Sequence, residues 1–171
     1  MKEFSRVIEL RCRNAGRYSQ ILYSVLASCG YSAAIDSFDG DTAFVLLNGQ
    51  SLSSERNDVS ADMIVFDDSF YDVSEISRFR VAVTDYENPH AAELNGIKVF
   101  TFSEEHYGAD LASRNVSVRQ DELAFDIVSG GILSRVRITK PECSVRDILL
   151  CAAVLISAGI PIASIVSCLG K

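Results

Sequence analysis

The sequence has no cluster of basic residues, no C-x-x-C pair and no apolar leader, and only two histidines, His90 and His106, in 171 residues. Each of these shortages excludes something. Sixteen Lys and Arg against 23 Asp and Glu give a net charge of −7, and the basic residues are scattered. Nucleic acids and anionic membranes need grouped positive charge, so neither is expected as a partner. Five cysteines (Cys12, Cys29, Cys143, Cys151, Cys168) form an odd set without zinc-type spacing, which reads as reduced thiols in a cytosolic protein. The opening MKEFSRVIEL has no apolar signal core, so export is not expected. Two isolated histidines assemble no Ser-His-Asp set and give no partner for general-base work.

What is present is an ordinary globular composition, 48% hydrophobic and 23% charged, long enough for one domain with a substantial core. One stretch tests that reading. Residues 148 to 169 carry no charge over 22 positions, the length of a membrane span. Gly159-Ile160-Pro161 interrupts it at the centre, however. The spacing predicts a buried helix ending at Ala158, then an amphipathic one with Ile162, Ile165, Val166 and Leu169 on one face. Pro161 suits a helix start, where its missing N–H is no loss.

The organising stretch is residues 6 to 30. Val7, Ile8 and Leu10 read as a buried strand, Asn14-Ala15-Gly16 as a turn, and Ile21, Leu22, Val25, Leu26 and Cys29 as one face of a helix. Strand, glycine-bearing turn and helix is the geometry that aims backbone N–H groups and a positive helix end at phosphate. A working phosphate loop has G-x-x-x-x-G-K-S/T, with Lys on the phosphates and a hydroxyl on Mg2+. Here the segment runs Cys12-Arg13-Asn14-Ala15-Gly16-Arg17-Tyr18-Ser19. Asn14, Gly16, Arg17 and Ser19 are the candidate remnants of a phosphate site.

Short strands follow at Ala33 to Phe38 and Ala43 to Leu47, joined by Asp39-Gly40-Asp41. A polar, serine-rich surface stretch (residues 48 to 62) comes next, then Met63-Ile64-Val65-Phe66, an unbroken apolar run of the kind covered on both faces. Asp67 and Asp68 end that run and are a candidate metal pair, although carboxylates at a strand end also serve as plain helix caps and a lone carboxylate holds Mg2+ weakly. Arg80 to Thr84 and Ile97 to Phe102 repeat the strand pattern, with a short helix expected from Pro89 to Leu94. This alternation predicts a doubly wound, mostly parallel α/β sheet. After about residue 113 the style changes. Asn115 to Arg119, Leu123 to Val128 and Ile132 to Ile138 alternate and are joined by tight turns at residues 120–122 and 129–131, an antiparallel meander. Two closing helices complete the chain, the first capped by Ser144. The expected arrangement is a single domain with a parallel part (1–113), a meander (114–140) and a helix pair (141–171).

That order of parts resembles the central, ATP-binding domain of the Mur ligase family, which includes the muramyl-peptide ligases and folylpolyglutamate synthases. VIELRCRNAGRYSQILYSVLASCGY is similar to the family's first strand, T-G-T-N-G-K-T-T loop and helix. ADMIVFDDS resembles its strand leading to an acidic metal-binding residue. VTDYENPHAAELNGIKVFTFS and the stretch from VSVRQDELAF to IASIVSCL resemble its later strands, meander and helix pair. The resemblance implies an origin in ATP- and Mg2+-dependent amide ligation, on the cytoplasmic side of cell-wall synthesis. The chain departs from the family at the functional positions. Cys12 stands at the first glycine, no lysine occupies the loop in either register, and Cys143-Ser144-Val145-Arg146-Asp147 replaces H-N-x-x-N. The mid-chain lysine that bridges metal in the family has no counterpart. The expectation is therefore a non-catalytic descendant without catalytic residues or cofactor, serving as a binding or regulatory module beside a protein partner or a second copy. Two alternatives stay open: a nucleotide-binding protein that uses Arg17, Ser19 and Asp67 with ATP and Mg2+, and one subunit of a split ligase.

Overall fold

The computed structural model describes residues 6–38, 41–49, 61–67, 75–139 and 141–169. Asp68 and the Asp39-Gly40 pair lie outside them, as does most of the serine-rich stretch. Strand β1 (Arg6–Arg11) leads through three residues into helix α1 (Ala15–Ser28), followed by β2 (Ala33–Ile35), β3 (Phe44–Asn48), β4 (Met63–Phe66), β5 (Val81–Asp85) and β6 (Lys98–Ser103). The chain continues with β7 (Leu111–Arg119), β8 (Glu122–Ser129), β9 (Ile132–Thr139), α2 (Val145–Ser157) and α3 (Ile162–Leu169). Among the described residues nine strands share one sheet in the order β2-β3-β1-β4-β5-β6-β7-β8-β9. From β2 to β7 every pairing is parallel, and β7-β8-β9 is the antiparallel meander. The expected mostly parallel α/β sheet with a meander and two closing helices is what the chain forms.

Side-chain alternation on β1 divides the core. Ile8, Leu10 and Cys12 face the three α-helices and pack with Leu22, Leu26, Val65, Phe102, Phe125 and the buried side of α2. Val7 faces the other way, with Val45, Leu47, Ile64, Phe66 and Ala82, beneath Phe79 and Leu94. On that second face Glu9 and Arg11 form a buried ion pair of 2.7 Å, with the Arg11 guanidinium 5.5 Å from the centre of the Phe79 ring. A paired charge is the only kind a sheet interior tolerates.

Two helices end in the same way. After α1, Gly30 takes φ +84°, its N–H bonds Ala27 O and the Tyr31 N–H bonds Leu26 O. After α2, Gly159 takes φ +84°, with Gly159 N–H on Ile156 O and Ile160 N–H on Leu155 O. This is the left-handed glycine cap that satisfies the last carbonyls. It divides the uncharged 148–169 stretch between α2, whose 13 residues begin at Val145, and the 8-residue α3. Among the described residues no helix is long and apolar enough to cross a membrane.

Three local expectations shift. Strand β2 ends at Ile35 rather than Phe38, where Asp36 takes φ +51°, and it lies parallel beside β3. The segment behind Pro89 forms only a 3-10 turn, Ala91–Glu93, closed by Gly96 at φ +86°. Strand β7 starts at Leu111 rather than Asn115. Leu111 and Ala112 pair in parallel with Phe102 and Ser103, while from Ala112 onward the other edge of the strand pairs antiparallel with β8, with an irregularity between Arg114 and Ser117.

Candidate functional site

The C-terminal ends of β1, β4 and β5 and the N-termini of α1 and α2 converge on one crevice, the place where open α/β sheets bind ligands. The turn there is Cys12-Arg13-Asn14. Its backbone donors are largely engaged. Ala15 N–H bonds Cys12 O, and the N–H groups of Arg17 and Tyr18 both reach Asn14 O. Arg13 N–H donates to Oδ2 of Asp67 at 3.0 Å. The N–H groups of Asn14 and Gly16 have no partner among the described residues.

Each residue singled out in the sequence has a defined place. Asn14 is the N-cap of α1, but its side chain makes no capping bond. Gly16 sits in the first turn with open space where a Cβ would project. Arg17 reaches across to α2, donating from one terminal nitrogen to Asp147 Oδ2 at 2.8 Å and Glu142 O at 3.0 Å. Ser19 is buried, and its hydroxyl donates back to Gly16 O at 2.9 Å rather than toward the crevice. Asp67 is buried at the end of β4, and the crevice thus holds a carboxylate beside the phosphate-type turn. Among the described residues, no three His, Cys, Asp or Glu side chains gather as a metal centre.

Cys12 is also buried. Its thiol donates to Val65 O at 3.4 Å, and burial, reinforced by the Asp67 charge, pushes its pKa well up. A thiol held neutral in this way is a poor nucleophile. His90 pairs with Glu93 at 2.9 Å and His106 with Glu87 at 2.8 Å, both on exposed loops.

The start of α2 is a closed capping box. Asp147 N–H donates to Ser144 Oγ at 3.1 Å, and Ser144 N–H donates to Asp147 Oδ2 at 2.9 Å. Ser144 is the expected cap, whereas the role of Asp147, shared between cap and Arg17, has no local signal beyond its three-residue spacing. Two further groups were not anticipated. Arg146 forms an ion pair with the buried Asp85 at 2.7 Å. Asn88, also buried, donates to Thr84 Oγ1 at 3.1 Å and to Asp67 O at 3.4 Å. Asp85 and Asn88 straddle the end of β5 in the segment VTDYEN, where polar residues follow an apolar strand. That step in polarity was the available signal.

This architecture defines a class: a parallel sheet opened by a phosphate-loop-type turn, continued by a meander and closed by a helix pair. It is the fold of the Mur ligases and folylpolyglutamate synthetase. UDP-N-acetylmuramoylalanyl-D-glutamyl-2,6-diaminopimelate–D-alanyl-D-alanyl ligase from Acinetobacter baumannii superimposes with a TM-score of 0.77 at 13% identity, over 98% of this chain and 46% of its own. MurF ligase from Thermotoga maritima, in complex with ADP, gives 0.70 at 12%, over 95% and 48%. Folylpolyglutamate synthetase from Lactobacillus casei gives 0.68 at 9%, over 99% and 63%. The chain thus spans about half the length of the Mur ligases it matches. No protein-family model and no curated protein sequence matches it.

Proposed function

We propose that the chain is a non-catalytic module on a Mur-ligase fold, acting in the cytoplasm by binding a protein partner or a second copy, in connection with cell-wall peptidoglycan synthesis. The observation that carries this reading is the bond from Arg13 N–H to Asp67 at 3.0 Å. A donor that a phosphate loop would turn toward its ligand is held by the protein's own carboxylate, whose charge repels a triphosphate. Arg17, the residue left to stand in for the loop lysine, is engaged by Asp147 and Glu142. Its planar guanidinium also does not reproduce an ammonium in a tight loop. The residues present do not fit ATP with Mg2+, because the strand-end carboxylate is turned into the loop and the Ser19 hydroxyl into its own helix.

A thermal-shift titration with ATP and Mg2+, run beside a phosphate-release assay, tests this. Ligand at 100 times Kd would add about 2.7 kcal/mol, or roughly 5–11 °C for a chain of this size. No shift and no phosphate release are expected; a saturable shift or steady ATP cleavage by the purified chain overturns the proposal. The open N–H groups of Asn14 and Gly16 favour a second reading, in which an atypical loop still holds a nucleotide. Asp67→Asn separates the two, since removing the charge strengthens binding only if a nucleotide already enters.

A further inference from the structure

The antiparallel meander finishes on an open strand. Among the described residues β9 bonds only β8. Gly130 and Gly131, at φ +53° and +82°, form the two-residue turn between the two strands, flanked by the partners Ser129 and Ile132. In such a turn the flanking pair exchanges both backbone bonds, and bonded and unbonded pairs then alternate along the ladder. Ser134, Val136 and Ile138 therefore direct their peptide groups at β8, while Leu133, Arg135, Arg137 and Thr139 turn theirs outward. On the helix side of β9, Val136 is buried and Ile138 half-buried. Ile138 also lines a groove of about 370 Å3 with Ile21, Val25 and Leu169. No residue of β8 lines it, which places the groove on the outer flank of β9.

The residues with outward peptide groups share the other face of the meander. Cross-strand partners lie on the same side of a sheet, and the registers run Arg114–Asp126–Arg135, Ser117–Ala124–Arg137 and Arg119–Glu122–Thr139. That face carries four arginines against two carboxylates, in a chain whose net charge is −7. Arg135 is engaged, donating to Asp126 Oδ1 at 3.0 Å and to Asn115 O at 3.2 Å, and the Arg114 guanidinium lies 4.1 Å from the centre of the Tyr107 ring. Arg119 and Arg137 are exposed and have no ion-pair partner among the described residues. These charges are dispersed along the sequence and are gathered only by the pairing of the strands.

We propose that β9 takes up an extended segment of a partner protein in which acidic and apolar side chains alternate. The outward N–H and C=O groups of Arg135 and Arg137 supply the backbone bonds of an added strand. Successive side chains of that strand point to opposite faces. The acidic ones fall on the arginine face beside Arg137, where a carboxylate gains charge-assisted hydrogen bonds. The apolar ones fall on the Ile138 side, over the groove. Such a segment is the partner for the binding module proposed above, and its assignment rests on that reading. ATP cleavage by the chain would remove the module reading, whereas failure to take up a strand removes the β9 assignment alone.

An end-blocked octapeptide of alternating glutamate and valine is the probe, read by amide chemical shifts of the full chain. Saturable shifts are expected along Leu133 to Thr139, and binding should weaken as salt is added. A lysine–valine octapeptide, which reverses the charge, should bind at least about tenfold more weakly. So should the glutamate–valine peptide methylated on its backbone nitrogens, which has lost its donors. Arg137→Glu should weaken the probe about tenfold or more with an unchanged spectrum elsewhere in the free protein, and Arg137→Gln provides a milder variant should the first fail to fold. Lys98→Gln, at the start of β6, should leave binding as it is. Equal binding of the lysine or the methylated peptide overturns the proposal, as does indifference to both Arg137 variants. Tighter binding of octathymidylate than of the peptide by the same arginines, or no saturable shift at millimolar peptide, overturns it equally.

Discussion

Asp147→Ala tests whether the starts of α1 and α2 are clasped together as described. In the folded chain the Asp147 carboxylate accepts from Ser144 N–H at 2.9 Å and from Arg17 at 2.8 Å, and it places negative charge on the first turn of α2. Losing the capping acceptor costs about 1 kcal/mol. Losing the favourable charge at a helix start costs roughly 0.5 kcal/mol. The Arg17 side chain is 51% exposed, so solvent screening limits the ion pair to about 0.5 kcal/mol. Together these amount to about 2 kcal/mol, or a fall in Tm of roughly 4–8 °C for a chain of this length. Urea denaturation of wild type, Asp147→Ala, Arg17→Ala and the double variant provides the cycle. Arg17→Ala alone should cost less than about 1 kcal/mol, with a coupling near 0.5 kcal/mol between the two sites. A loss below about 0.5 kcal/mol for Asp147→Ala, together with strict additivity, would show that the clasp does not hold in solution. Arg17 would then be free for a phosphate after all.

Leu149, fully buried in α2, should cost about 2–5 kcal/mol on replacement by Ala, measured by the same denaturation. Cys12 and Cys151 are both buried, with thiol pKa values pushed well up by that burial, so iodoacetamide at mild alkaline pH should label neither until the protein unfolds. Fast native labelling of Cys12 would mean that the turn opens. The Asp126 carboxyl is held below its ordinary value, first by its bond from Asn115 Nδ2 and further by Arg135. A carboxyl with a lowered folded pKa contributes stability above its unfolded value of about 4, and that stability is lost as pH falls through the folded value. Asp126→Asn should therefore flatten the loss of stability on acidification below about pH 4; an unchanged acid limb would refute the assignment.

The parts of the fold legible in the sequence are those fixed by neighbours along the chain. Val7 to Leu10, the four-residue apolar run of β4, the glycines at 30 and 159 and the Ser144 cap announce themselves within a few positions. The start of strand β7 does not, because Leu111 and Ala112 are fixed by Phe102 and Ser103 on another strand, and visible alternation begins only at Val116. The turn before α1 was legible as a turn, though it closes at Asn14 and the expected turn residues Ala15 and Gly16 already belong to the helix, and the missing lysine could be read directly. What its groups touch was not. Arg17 meets a carboxylate 130 positions away, and Arg13 one 54 positions away, contacts that arise only once the sheet has assembled. The Arg146–Asp85 pair is hidden for the same reason: both residues look like ordinary surface charges until α2 is laid over the end of β5.

Among the described residues the sheet's last strand, β9, bonds a neighbour on one side only, and its eight residues include Arg135 and Arg137. An uncovered row of peptide groups that long invites self-adhesion and, in the extreme, fibre growth. Arg135 is taken up by Asp126, so Arg137 is the charge that two copies aligned edge to edge would set against its like along the seam. Any self-association of this chain is thereby steered away from endless stacking and toward a contact made by some other face.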